Sequence, residues 1–132
     1  MKALEAAIKS RLAGDATLMG LVTAVKNTVA PSSTLYPFLV FQKVAAPPTY
    51  TFTSLIATNY LYQFRVIGND LNKDVLNDAL ARVKALLNLQ PITVTGYRVD
   101  RVTWDGDMPD MAQDDEGQTL LQVGATYRFY VI

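Results

Sequence analysis

Positions 60–67 read YLYQFRVI, so that Tyr60, Tyr62, Phe64 and Val66 fall on one side of an extended chain and Leu61, Gln63, Arg65 and Ile67 on the other. That is the period-two pattern of a half-buried strand. After a short GNDLN connection, with Asp70 or Asn72 expected as helix cap, the period changes. Leu76, Leu80, Val83 and Leu87 now form one seam, widened by Val75, Ala79 and Leu86, which is the broad stripe of a helix lying on a sheet. Asp74 and Asp78 come early in this helix and Arg82 and Lys84 late, the order that complements the macrodipole. Asp78 and Arg82, four residues apart, are expected to pair across one turn.

Upstream, Leu4, Ile8 and Leu12 recur at helical spacing across residues 2–13. Gly14 is expected to end that helix and Asp15 to cap a second, short one carrying Leu18, Leu21, Val22 and Val25. This second helix is too apolar to read DNA. A connection through Pro31 and Pro37 leads to FLVFQKV, a strand by its aromatic and β-branched content. Pro47 and Pro48 then break the pattern, and residues 44–58 are expected to form a hairpin with its tip at 45–49, or a protruding arm. Tyr50 and Phe52 would be exposed on that arm, which makes them interface candidates.

Downstream, residues 92–104 have β character with a change of phase, so a bulge near Asp100 and Arg101 is expected, leaving Arg98, Asp100 and Arg101 at an exposed edge. Residues 105–119 are acidic and turn-rich and read as a loop. Within it DGDMPDMAQDDE lacks the spacing of an EF-hand, while Met108 and Met111 are adaptable docking contacts. The last stretch is the cleanest strand of all. Leu121, Val123, Ala125, Tyr127, Phe129 and Val131 alternate with Gln122, Gly124, Thr126, Arg128 and Tyr130.

The element order predicts one α+β domain over residues 1–132, with a mainly antiparallel sheet of about four or five strands and helices packed on one face. The other face would carry Leu61, Gln63, Arg65, Arg128 and Tyr130, too mixed for a second core and suited to burial against another subunit. Composition narrows the chemistry further. Lys plus Arg balances Asp plus Glu at 12 each, so no global field recruits nucleic acid or anionic lipid. Cysteine and histidine are both absent, which removes disulfides, thiol nucleophiles, the usual zinc ligands and histidine acid–base schemes. No glycine-rich phosphate loop follows a strand. An enzyme is not expected, nor a cofactor or metal. The N-terminus lacks the apolar core of a signal peptide and no run approaches the roughly 20 apolar residues that cross a bilayer, so a soluble protein folded in a cytoplasm is expected. An assembly protein leads. A nucleic-acid-associated module is the alternative, should Lys9, Arg11, Arg65, Arg98, Arg101 and Arg128 converge.

The segments ALEAAIKSRLAGDATLMGLVT, YPFLVFQ, YQFRVIGND followed by VLNDALARVKALLNL, and QVGATYRFYVI resemble, in this order, the tail completion family of tailed bacteriophages and prophages, which includes tail terminator and tail-to-head joining proteins. The resemblance implies a small structural virion protein forming a ring, commonly hexameric, at the head-proximal end of the tail. Its implied partners are the major tail tube protein and the head connector or stopper protein, with DNA passing through the lumen without sequence-specific binding. It implies no catalytic residues. A neighbouring connector or adaptor role in the same virion is the nearest variant. Inter-subunit contacts would fall on the long connections, here residues 44–58 and 105–119.

Overall fold

The computed structural model describes residues 2–30, 34–50, 55–69, 73–115 and 118–132. The elements run α1 (Lys2–Ala13), α2 (Ala16–Met19), β1 (Val25–Asn27), β2 (Phe38–Ala45), β3 (Pro48–Tyr50), β4 (Leu55–Asn69), α3 (Lys73–Leu87), β5 (Val99–Asp115) and β6 (Gln118–Val131). One mixed sheet has the order β1-β2-β4-β6-β5, with β3 pairing to β4 beside β2. Among the described residues only the short β1–β2 pair is parallel, and the other pairings are antiparallel. The α+β class holds, with four long strands and two short ones.

Each helix offers its apolar stripe to the same side of the sheet. Leu4, Ile8 and Leu12 of α1 and Leu76, Ala79, Val83 and Leu87 of α3 are buried in one cluster with Leu39, Phe41, Tyr62, Phe64, Val123, Tyr127 and Phe129 from the strands. The aromatic rings pack edge to face where the strands meet: Tyr62 against Phe129 at 5.6 Å and Phe64 against Tyr127 at 5.3 Å between centroids, a favoured ring geometry. Burial pushes the Tyr62 and Tyr127 hydroxyls well above their usual range.

Several expectations are corrected. The second helix stops at Met19, because Gly20 and the turns from Leu21 and Val22 take up the carbonyls of Ala16 and Leu18. Val25, placed in that helix by spacing, starts β1 instead, in line with the β preference of branched residues. The hairpin does not turn at 45–49. Residues 48–50 instead form β3 and pair with 55–58, and residues 51–54 between them lie outside the described residues. The expected cap residues Asp70 and Asn72 also lie outside them.

Residues 92–98 are not part of the long strand. A tight Val94–Tyr97 bridge, with Gly96 at φ 80°, precedes it. The bulge at Asp100 is present, and it brings Val99 and Val102 to the core side. The largest correction concerns residues 105–119. Acidic turn composition reads as a loop, yet β5 runs on to Asp115, paired with β6 along its length. Two further bulges, between Trp104 and Gly106 and between Met108 and Met111, absorb Gly106 at φ 120° and Pro109. Finally, Arg82 does not pair with Asp78. Its Nε and Nη2 each lie 2.8 Å from the carboxylate of Asp15, the same group that accepts from the Leu18 N–H at 2.9 Å to cap α2. The Arg82 guanidinium and the Leu18 N–H hold the Asp15 carboxyl down at about 2.

Candidate assembly surface

Because every helix among the described residues lies on one side, strand alternation delivers the other set of side chains to a face that none of these helices covers. Register fixes which residues share a row across it. Phe38, Ile67, Gln122 and Met111 make one row, and Val40, Arg65, Gly124 and Met108 the next. Gln42, Gln63, Thr126 and Gly106 follow. Leu61, Arg128 and Thr103 then lead to Asn59, Tyr130 and Arg101 at the far end.

The middle of the face is tightly built. A Cβ placed on Gly124 would lie 2.8 Å from the Phe64 carbonyl oxygen, 3.1 Å from Met108 Sδ and 3.3 Å from Arg65 Cγ. The bare glycine is what lets Arg65 and Met108 lie down on the sheet. Gln63 Nε2 contacts Met108 Sδ at 2.8 Å, and Gln42 Nε2 reaches Gln63 Oε1 at 3.4 Å. Arg101 stands over the Tyr130 ring at 4.8 Å, a cation–π arrangement. Arg128 reaches Asp105 at 3.5 Å, with both side chains partly exposed, so this ion pair contributes little. The Nε atoms of Arg65 and Arg128 are buried with no hydrogen-bond partner among the described residues. At the opposite end the face opens into an apolar cleft of about 260 Å³ between Tyr36, Phe38, Ile67, Met111, Leu120 and Gln122, where Tyr36 stacks on Phe38 at 5.4 Å.

Of the residues expected at an interface, Leu61, Gln63, Arg65, Arg101, Met108, Met111, Arg128 and Tyr130 come together on this face. Met108 and Met111 arrive by strand pairing rather than by a loop. Arg98 does not join them; it is exposed just before β5, and its carbonyl accepts from the Ile132 N–H at 2.8 Å. Tyr50 closes β3, but its side chain lies outside the described residues, as does the whole of Phe52. The six-cation convergence is not formed. Arg11 is held on the helical side, donating to the carbonyls of Leu86 and Pro91. Sequence reasoning missed Phe38 and Val40 as members of the outer face, although the parity of FLVFQKV against YLYQFRVI carried the signal. Among the described residues no group of three acidic side chains gathers as a metal site, and no helix is long and apolar enough to cross a membrane.

Comparison with known proteins adds to this geometry. Residues 6–129 match the family described as tail completion protein gp17. No curated protein matches in sequence. Among solved structures, a chain of the virion of the native gene transfer agent particle superposes with TM-score 0.80 at 21% identity, covering 98% of this chain and 95% of that one. The gp17 protein of bacteriophage SPP1 superposes with TM-score 0.50 at 19% identity, covering 97% of this chain and 88% of that one. At these identities the superpositions establish a shared fold.

Proposed function

This chain belongs to the tail completion protein gp17 family, and from that premise we propose that it completes the tail as a ring of identical subunits, with the uncovered sheet face as the contact between neighbours. Family membership gives the coarser part of this directly. The protein is a structural virion component at the head-proximal end of the tail, acting in tail termination and head–tail joining and meeting tail-tube and head-connector proteins. It is not an enzyme, and the nucleic-acid module is not the role of this family.

The finer part is our reading. A hexamer, one working domain over residues 1–132, and axial contacts through the arm that carries Tyr50 and Phe52 are all consistent with the resemblance seen in the sequence. One observation carries the choice of surface: eight of the expected contact residues share a single face that no element among the described residues covers. That face combines an apolar cleft, an aromatic–arginine stack and buried guanidinium nitrogens without partners among the described residues, the kind of composition that anchors protein interfaces.

The test is complementation in particles whose own copy of this gene is disrupted. The double substitution Leu61→Asp with Tyr130→Asp, checked for native melting by circular dichroism, is expected to leave tails and heads that do not join, counted by negative-stain microscopy. Joined particles of normal tail length at the wild-type frequency would overturn the surface assignment. Joined particles from the disrupted gene alone would overturn the role itself.

A further inference from the structure

The chain is neutral overall, yet its charge is sharply divided. Six of its 12 acidic residues lie in β5, at positions 100, 105, 107, 110, 114 and 115, against the single cation Arg101. β5 is an edge strand of the sheet. Among the described residues its outer side receives partners only near its start, where Leu89 N–H donates to Val102 and Trp104 N–H to Asn88 Oδ1. Asp105, Asp107 and Asp110 follow, all exposed, with Asp107 accepting from Trp104 Nε1 at 3.1 Å and lying beside Lys84, and Asp110 beside Lys73, on the α3 side of the strand. The outer sheet face has the opposite character. Arg65, Arg101 and Arg128 stand on it, and Asp105 is its one ion-pair partner among the described residues. Arg65 in addition keeps a buried Nε without a partner among the described residues.

We infer that the acidic edge of β5 in one copy of this chain docks on the arginine-bearing outer face of a second copy. This rests on the ring reading above and specifies the complementary half of its contact. The two surfaces are different parts of the same molecule, so the contact is heterologous, with each subunit giving its edge to one neighbour and its face to the other. Such a head-to-tail contact closes into a ring when the rotation between subunits closes. The carboxylates supply acceptors for guanidinium groups that the isolated chain leaves under-used, and carboxylate–arginine pairs are among the stronger hydrogen bonds available. Opposed charges also fix register and reject like-charged approaches, edge to edge or face to face.

The experiment is sedimentation velocity on the full chain with charge reversal. The wild type is expected to self-associate at low salt and to shift toward monomer at about 0.5 M salt, where screening shortens the reach of exposed charges to a few ångströms. Arg65→Glu with Arg128→Glu should give monomers, and so should Asp107→Arg with Asp110→Arg. An equimolar mixture of these two variants should recover the wild-type sedimentation coefficient, because the reversed face of one then meets the reversed edge of the other, and the intact edge meets the intact face. Should either reversed variant melt abnormally, the neutral pairs Arg65→Gln with Arg128→Gln and Asp107→Asn with Asp110→Asn replace them and should weaken association at least tenfold. A wild type that stays monomeric at low salt, reversed variants that assemble normally, or a mixture that fails to reassemble would each overturn the inference. Normal assembly of the reversed variants alongside failure of the Leu61 and Tyr130 variant would leave the ring reading intact and reject only the charge contact.

Discussion

At Gly124 the sheet has no room for a methyl group. The Phe64 carbonyl oxygen would sit 2.8 Å from it, and that oxygen belongs to the backbone of β4, which cannot rotate away as a side chain would. Gly124→Ala is therefore expected to cost about 1–3 kcal/mol by forcing β4 and β6 apart, measured as a lower urea midpoint at unchanged slope; an unchanged midpoint would contradict the packing described. Asp15 shows a different kind of dependence. Its carboxyl is held at about 2, below the ordinary 3.8, first by Arg82 and then by the Leu18 N–H. A depressed native value means that the contribution is complete above about pH 4 and disappears as pH falls toward 2. Arg82→Ala should move the acid unfolding midpoint, followed by circular dichroism, to higher pH, and the two proteins should converge below about pH 2. Coincident acid transitions would refute this. The sequence pointed to Asp15 as a cap and to Arg82 as an ion-pair partner, but assigned Arg82 to Asp78, one turn away. The real pairing spans 67 residues, and spacing along one helix carries no information about a neighbour folded in from elsewhere.

At the scale of elements, β4, α3 and β6 were legible because each has one buried face and a strict period, and burial follows that period residue by residue. β5 was only half legible. Its first residues have strand composition, whereas 105–115 carry glycine, proline and aspartate, which individually disfavour strands. What makes them a strand is the edge of β6, whose alternating partner residues were recognised but whose neighbour was not. Pairing outweighed propensity, with bulges at the offending residues. The same pairing identifies the element whose loss costs most. β6 bonds to β4 along twelve register pairs on one side and to β5 on the other, so removing residues 127–132 takes Tyr127, Phe129 and Val131 from the core and opens both neighbours. A chain ending at Thr126 is expected to give no cooperative urea transition; a soluble truncation unfolding in one sharp step would defeat that expectation.

For the whole molecule, parity along the strands separates the helix-covered face from the other one, and this much of the candidate surface is legible in the sequence. Leu61, Gln63, Arg65, Arg128 and Tyr130 were placed together by alternation alone, as the register bears out. The cleft beside Phe38 and Ile67 and the position of Arg11 on the helical side depend on how strands are ordered and which helix lies where, and a single sequence does not state that order. The strand order also has a consequence for biosynthesis. β6 is the last strand in sequence but lies between β4 and β5 in space. While the chain leaves the ribosome, β4 waits with its inner edge bare through the synthesis of some fifty residues, the interval in which an unpaired strand is open to the wrong partner. Late closure of the sheet thus makes synthesis of β6 the event that completes the outer sheet face, so a chain not yet grown through β6 lacks the face proposed above as the contact between subunits.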